Sequence, residues 1–221
     1  MIDPKIETAY PAALAAFSKY SSFDASKLTD EFGEVFASDD DYITKVNALD
    51  EVFDNNPEIE TLREVFFDLL MINFFSVDVK KLEEDYLDSP EWEEIEEQTL
   101  DRGTELLNVL LYLNECEDEE IEPELDDYLK EFLLVDEDEF QDEYNIYEPI
   151  IANQILMESP VEEISKVALT LPDDSELKEL FYPVMCYFQN IDPSPADKDK
   201  IAHHAIEKDF DMAVLEILIN F

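Results

Sequence analysis

Glycine occurs at only two of the 221 positions, Gly33 and Gly103. Tight β-hairpins depend on turns such as Asn-Gly and Asp-Gly, and neither dipeptide is present. Phosphate-binding loops of the P-loop and dinucleotide-binding kinds need several closely spaced glycines, so those classes of nucleotide enzyme are excluded. The shortage of glycine therefore predicts a helical protein without a sheet.

Apolar residues recur at helical spacing along most of the chain. One stripe contains Ile43, Val46, Leu49 and Phe53, and others follow at similar spacing. Helix starts are predicted where a capping serine precedes such a stripe, at Ser38, Ser89, Ser159 and Ser194. The pattern predicts an all-α fold, a single helical bundle or an irregular array of about ten antiparallel helices.

The helix that starts at Ser89 is predicted to be long, with Gly103 tolerated inside it. The segment around Leu125, Tyr128 and Leu129 forms a short apolar stripe. No Gly/Ser-rich linker divides the chain, so residues 1–221 are predicted to form one domain with soft boundaries near residues 88 and 160.

The charge is strongly negative, because 14 Lys and Arg stand against 59 Asp and Glu, which gives a formal net charge of -45. Such a charge with little apolar content would indicate disorder, but 46% of the residues are hydrophobic, so the chain is expected to fold. Phosphates and anionic lipid headgroups would repel it, which predicts no direct nucleic-acid binding and no membrane binding. The start of the chain lacks a signal-peptide pattern, and a cytoplasmic location is expected.

No pattern indicates catalysis, a cofactor or a metal site. Cys116 and Cys186 form no CxxC pair and are expected to be reduced thiols. His203 and His204 are adjacent on a predicted helix, so their side chains point about 100° apart and cannot chelate one ion. We therefore expect a protein without enzymatic activity, cofactor or metal.

The acidic excess is greatest in the middle of the chain, where Arg102 and Lys130 are the only basic residues between Glu83 and Glu148. Solubility requires a net charge of only about 2 to 8 on a small domain, so the excess indicates a binding surface. The predicted partner-binding acids are Glu93, Glu94, Glu97, Asp101, Glu105, Glu122, Asp126 and Asp127, and the predicted aromatic anchors are Trp92, Tyr128 and Tyr144.

Three hypotheses are consistent with this composition. In the first, the protein binds and inhibits a basic protein, such as a nucleic-acid-binding protein, a nuclease or a toxin. The composition resembles that of DNA-mimicking proteins and of immunity proteins of bacterial toxin systems. In the second, the protein is a helical adaptor or scaffold that binds through an apolar groove. In the third, the charge serves only solubility or salt adaptation.

Overall fold

The computed structural model describes residues 2–78, 86, 89–132, 134–136, 139–140 and 146–221. Twelve α-helices make up most of this part of the chain. They are α1 Pro4–Tyr20, α2 Thr29–Ala37, α3 Tyr42–Asn55, α4 Arg63–Asn73, α5 Pro90–Thr99, α6 Leu106–Glu119, α7 Leu125–Asp127, α8 Glu148–Ile151, α9 Val161–Ala168, α10 Lys178–Gln189, α11 Pro195–His204 and α12 Lys208–Asn220. The predicted all-α fold is confirmed.

Shorter elements join these helices. Turns of 3-10 helix cover Ala25–Leu28, Pro57–Leu62 and Gln154–Glu158, and single π turns cover Phe74–Asp78 and Tyr128–Phe132. A two-stranded antiparallel ladder joins β1, Leu134–Asp136, to β2, Glu139–Phe140. The expectation of no sheet is corrected by this ladder, which is too short to form a layer and leaves the fold class unchanged.

Two of the predicted helix starts are confirmed in atomic detail. The Ser89 Oγ accepts a hydrogen bond from the Trp92 N–H at 3.2 Å. Ser194 and Asp197 form a reciprocal capping box, with each side chain accepting from the other residue's backbone N–H. Their common feature is a serine followed by proline at the first helical position.

The other two predicted starts are wrong. α3 begins at Tyr42, and its cap is Asp41, whose carboxylate accepts from the Thr44 N–H at 2.9 Å. Asp41 is the cap instead of Ser38 because it directly precedes the first helical residue, Tyr42. From there its carboxylate reaches the free N–H of Thr44 in the first turn. α9 begins at Val161 after Pro160, and no side chain caps it.

The long helix predicted from Ser89 through Gly103 is interrupted, because α5 ends at Thr99 and α6 begins at Leu106. Gly103 has a φ of +86°, which a helix does not allow. Its N–H donates to Glu64 Oε2 at 2.7 Å, and the Thr104 N–H donates to Asp68 Oδ1 at 3.0 Å. Side chains of α4 thus satisfy the backbone of residues 100–105, which we call the α5–α6 connector.

Arg102 fastens this connector to two helices. Its Nη1 and Nη2 each donate to the Asp50 carboxylate of α3 at 3.0 Å, and its Nε donates to Glu64 of α4 at 3.0 Å. The guanidinium also lies 4.8 Å from the centroid of the Phe67 ring. Two-point contact of this kind fixes the direction of the side chain as well as its position.

The buried side chains form one continuous cluster that extends from α1 to α12. Rings of Phe32, Phe53 and Phe66 meet at centroid distances of 4.6 to 5.8 Å, and α12 packs against α1 and α10. This continuity agrees with one packed core, while the domain boundaries stay a prediction.

A buried carboxyl group also lies at the start of α12. Asp211 is 3% exposed, and its Oδ2 accepts from the backbone N–H groups of Ile206 at 2.7 Å and Glu207 at 3.2 Å. Burial raises the pKa of Asp211 to about 7, although the two hydrogen bonds act in the opposite direction.

We expect Gly103→Ala to lower the free energy of unfolding by about 2–3 kcal/mol. An alanine would be strained at this φ, and its Cβ would lie 2.6 Å from Asp68 Oδ1. Urea denaturation measures the change. The control is Leu100→Ala, in the same connector, whose side chain is 82% exposed and which should cost less than about 0.5 kcal/mol. Equal stability of the two variants would contradict the strained connector.

We expect Asp211→Asn to change how stability depends on pH. The native pKa near 7 lies above the unfolded value of about 3.9, so between these pH values the native state holds a proton that the unfolded state lacks. Asp211 therefore makes the wild type lose stability as pH rises through this window, on the order of 2–4 kcal/mol. Denaturation of both proteins from pH 4 to 8 should show the stability of the wild type falling relative to that of Asp211→Asn up to about pH 7, after which the offset between them is constant. The exposed variant Asp199→Asn is the control, and curves that stay parallel for Asp211→Asn would refute the assignment.

Candidate functional site

α5 presents a dense row of carboxylates to solvent. All five of its glutamates are exposed, and we call them the α5 acidic face: Glu91, Glu93, Glu94, Glu96 and Glu97. Ile95 and Thr99, one helical turn apart, are the buried residues of this helix. The narrow buried stripe leaves the rest of the circumference free for charge.

The lysines and arginines of the described chain are largely committed elsewhere. Arg63 contacts Asp50, Asp54 and Glu60, and Arg102 contacts Asp50 and Glu64. The lysine pairs are Lys5–Glu117, Lys27–Asp24, Lys130–Asp126, Lys166–Glu162, Lys178–Asp173, Lys198–Glu216 and Lys200–Asp197. No lysine or arginine among the described residues pairs with the α5 acidic face.

An aromatic cluster holds α5 against the end of α4. It consists of Tyr42, Phe74, Phe75, Tyr86 and Trp92. The Trp92 ring stacks on Phe74, with centroids 6.2 Å apart and planes at 8°, and its centroid lies 5.5 Å from that of Phe75. Trp92 is half-buried and thus positions the helix from beneath the carboxylates.

A cavity of about 620 Å³ opens between the start of α3 and α5. Its apolar lining comprises Tyr42, Ile43, Phe74, Tyr86 and Ile95, which are buried or half-buried. Its polar lining comprises Asp40, Asp41, Glu91, Glu94 and Gln98, all exposed. Apolar residues therefore form the floor and carboxylates the outer edge, and we call this the acid-edged cavity.

Two of the groups that line the cavity have shifted pKa values. Hydrogen bonds from the Thr44 N–H and hydroxyl lower the pKa of Asp41, so this carboxylate is charged near neutral pH. Burial, aided by the charge of Asp68, raises the pKa of Tyr42, so the phenol stays neutral. The Tyr42 hydroxyl is buried and has no hydrogen-bond partner within the described part of the chain.

The structure brings one group of the predicted site residues together. Glu93, Glu94 and Glu97 lie exposed on α5, and Asp101 is exposed in the connector that follows. Trp92 lies in the same helix, where it contacts the aromatic cluster. The assignment of this group as a partner-binding surface stays a prediction.

A second predicted group lies on other elements. Glu122 is exposed after α6, Asp126 of α7 pairs with Lys130, and Asp127 is half-buried. Among the described residues no hydrogen bond or ion pair joins these side chains to α5. The predicted patch is therefore spread over several elements of the chain.

Two predicted site residues are corrected. Glu105 is half-buried and accepts hydrogen bonds from the Tyr147 hydroxyl and from Asn108 Nδ2. Its carboxylate is therefore engaged within the protein and is not presented to a partner. Tyr128 is 0% exposed and stacks on Phe188 at 5.6 Å, so its assignment as a surface anchor is wrong. The apolar stripe of Leu125, Tyr128 and Leu129 faces the core, so the Tyr128 ring is buried. Tyr144 lies outside the described residues.

The sequence analysis missed the residues that complete the cavity. Asp40 and Asp41 belong to an acidic run before α3, and Glu91 belongs to the same helix as the predicted acids. The run Asp39–Asp41 was a visible signal. Its position next to α5, about fifty residues later, depends on tertiary packing that local periodicity does not encode.

The remaining candidate groups show no catalytic arrangement in the part of the chain that is described. No group of three or more His, Cys, Asp or Glu there is placed to hold a metal ion. Cys116 and Cys186 are free and buried, and burial raises the pKa of both thiols, that of Cys186 to about 12. A raised thiol pKa lowers the fraction of reactive thiolate.

Three comparisons with known proteins give no relative. No family model matches the chain, and neither a curated protein nor a solved structure matches it. Within the described residues, none of the helices has both the length and the apolar character needed to cross a bilayer.

We expect Tyr42→Phe to leave the free energy of unfolding unchanged or to raise it by about 0.5–1 kcal/mol. The change removes a buried hydroxyl that has no partner, and its burial costs free energy. Tyr182→Phe is the control, because that buried hydroxyl donates to the Ile201 carbonyl at 2.7 Å and its loss should cost about 1 kcal/mol. Equal losses in urea denaturation would show that the Tyr42 hydroxyl has an undetected partner.

Proposed function

We propose that this protein is a non-enzymatic interaction protein that binds and inhibits a basic protein through the α5 acidic face. The partner class is a nucleic-acid-binding protein, a nuclease or a toxin. The observation that carries the proposal is the row of five exposed glutamates without a lysine or arginine partner, on a chain whose described cations are largely used in internal ion pairs.

The linear charge density of α5 supports a nucleic-acid-like surface. A ten-residue helix is about 15 Å long, so its five glutamates give one charge per about 3 Å of axis. A DNA strand carries one phosphate per about 3.4 Å. A protein surface shaped by evolution to bind phosphates would therefore meet a similar density of negative charge.

Electrostatic repulsion within α5 also favours a cationic partner. Glu93 and Glu97 are one turn apart, a spacing of about 5–6 Å, and each such like-charge pair costs a few tenths of a kcal/mol. A bound lysine or arginine would remove this repulsion and replace it with attraction. The same field accelerates association with a positively charged protein at low ionic strength.

The carboxylates are also fixed in position before binding. Ser89 caps the helix, Ile95 anchors it in the core, and Trp92 stacks on Phe74. Because the backbone of α5 is already ordered, less conformational entropy is lost when a partner binds.

A second candidate function has one observation in its favour. Leu169 is 65% exposed and Ile206 is 40% exposed, and both line a cavity of about 430 Å³ beside Phe210. This groove fits the alternative of an adaptor that binds an apolar segment, and such binding would persist at high salt.

We expect the triple variant Glu93→Gln, Glu94→Gln and Glu97→Gln to weaken binding of the basic partner about tenfold to hundredfold. The partner is first captured from host lysate at about 50 mM KCl and purified, and its affinity is then measured by titration calorimetry. The matched control is Glu158→Gln, Glu176→Gln and Glu179→Gln, which removes the same charge from exposed positions without ion pairs in the described chain. This control should retain nearly full affinity.

Equal weakening by the two triple variants would show that the attraction is spread over the whole surface, and would refute the α5 site. Binding that survives 500 mM KCl but is lost in Leu169→Ser would favour the apolar groove instead.

A further inference from the structure

The acid-edged cavity combines two kinds of lining. Aromatic and aliphatic side chains form its floor, and four exposed carboxylates form its edge. A purely apolar ligand would leave the carboxylates unused, and a small inorganic ion would leave the aromatic floor unused. A ligand with an apolar stem and a cationic end matches both.

We propose that the acid-edged cavity binds one lysine or arginine side chain of the basic partner. The inference rests on the proposed function and names the anchor point on that same surface. The stem would lie along Tyr42, Phe74 and Tyr86, and the cationic group would lie among Asp40, Glu91 and Glu94.

The chain itself already uses this combination for its two arginines. Arg102 lies 4.8 Å from the Phe67 centroid while it donates to Asp50 and Glu64. Arg63 lies 5.3 Å from the Phe53 centroid while it donates to Asp50 and Glu60. In both cases an aromatic ring supports the guanidinium and carboxylates accept its hydrogen bonds. The cavity supplies rings and carboxylates, and no described lysine or arginine lines it.

The electrostatics of the cavity favour a cation from outside the chain. None of its four carboxylates has a lysine or arginine partner among the described residues. Asp41 is engaged by Thr44, and Glu94 accepts only a neutral bond from Gln98 at 3.2 Å. An incoming cation would therefore displace no existing ion pair.

A metal ion fits this site poorly. Divalent cations need several oxygen ligands around one point, and no three acids of the described chain are placed to provide them. A lysine or arginine side chain needs only one or two carboxylates at its end, and its methylene groups cover apolar surface. A volume of about 620 Å³ lies within the usual range for small-ligand sites, about 300–1,000 Å³.

The first test uses short peptides of otherwise identical sequence. One pair contains lysine or its uncharged analogue norleucine, and the other contains arginine or its uncharged isostere citrulline. Trp92 is the only tryptophan and stacks on the cavity residue Phe74, so its fluorescence reports binding. At constant ionic strength we expect each charged peptide to bind at least about fivefold tighter than its neutral analogue.

The second test compares two double variants of the same helix. Glu91→Gln with Glu94→Gln neutralises the cavity edge, and Glu93→Gln with Glu97→Gln removes the same charge from positions that do not line the cavity. We expect the cavity pair to abolish the preference for charged peptides and to weaken binding of the purified partner at least about tenfold. The other pair should change peptide binding less than about threefold.

A third comparison isolates the aromatic floor. Tyr86→Phe keeps the ring and should keep the preference for lysine, whereas Tyr86→Leu keeps an apolar side chain and should reduce the preference at least about threefold. Thermal melts of both variants establish that they are folded.

The outcomes separate this inference from the proposed function. If norleucine and citrulline peptides bind as tightly as their charged analogues, or if both double variants weaken partner binding equally, the cavity is not the anchor and the proposed function stands. If neither double variant weakens partner binding, the α5 acidic face is not the binding surface, and both ideas fail.

Discussion

The bidentate contact between Arg102 and Asp50 is the constraint on which the functional surface depends. It joins the α5–α6 connector to α3, and the bond from Arg102 to Glu64 joins the same connector to α4. The direction in which α5 leaves the core follows from these bonds and from the backbone bond of Gly103 to Glu64. Without the guanidinium, Asp50 and Glu64 would face each other across a half-buried space, and their repulsion would open the region that supports the acidic helix.

The degree of burial determines how each acid of this protein is stabilised. Half-buried Asp50 is paired with Arg63 and Arg102, because a partly desolvated charge is costly without a partner. Fully buried Asp211 instead accepts backbone N–H groups, and burial raises its pKa. Acids that face water, such as Glu93, need no internal partner, because solvent and salt screen them. Exposed lysines that the structure describes, such as Lys130 and Lys166, pair with acids on other elements, so they do not offset the negative field of α5.

Local signals in the sequence were enough to predict the helices but not the places where distant side chains intervene. Ser89 and Ser194 were identifiable as caps because the capping atoms lie within three residues. Gly103 was assigned to a helix interior because Glu64, which accepts its N–H, and Asp68, which accepts the N–H of Thr104, lie about forty residues earlier. Tyr128 was assigned to the surface as an aromatic anchor, although its spacing from Leu125 and Leu129 indicated the core. The cavity needed α3 and α5 to be adjacent, which no local pattern encodes.

Asp41 belongs to two structures at once, since its carboxylate holds the first turn of α3 and also stands at the cavity edge. Selection for a stable helix and selection for recognition thus converge on a single side chain. Asparagine caps helices about as well as aspartate does, so an exchange of one for the other could retune the attraction for cations while preserving the architecture. The position offers a natural route by which related chains could diverge in partner preference in a single evolutionary step.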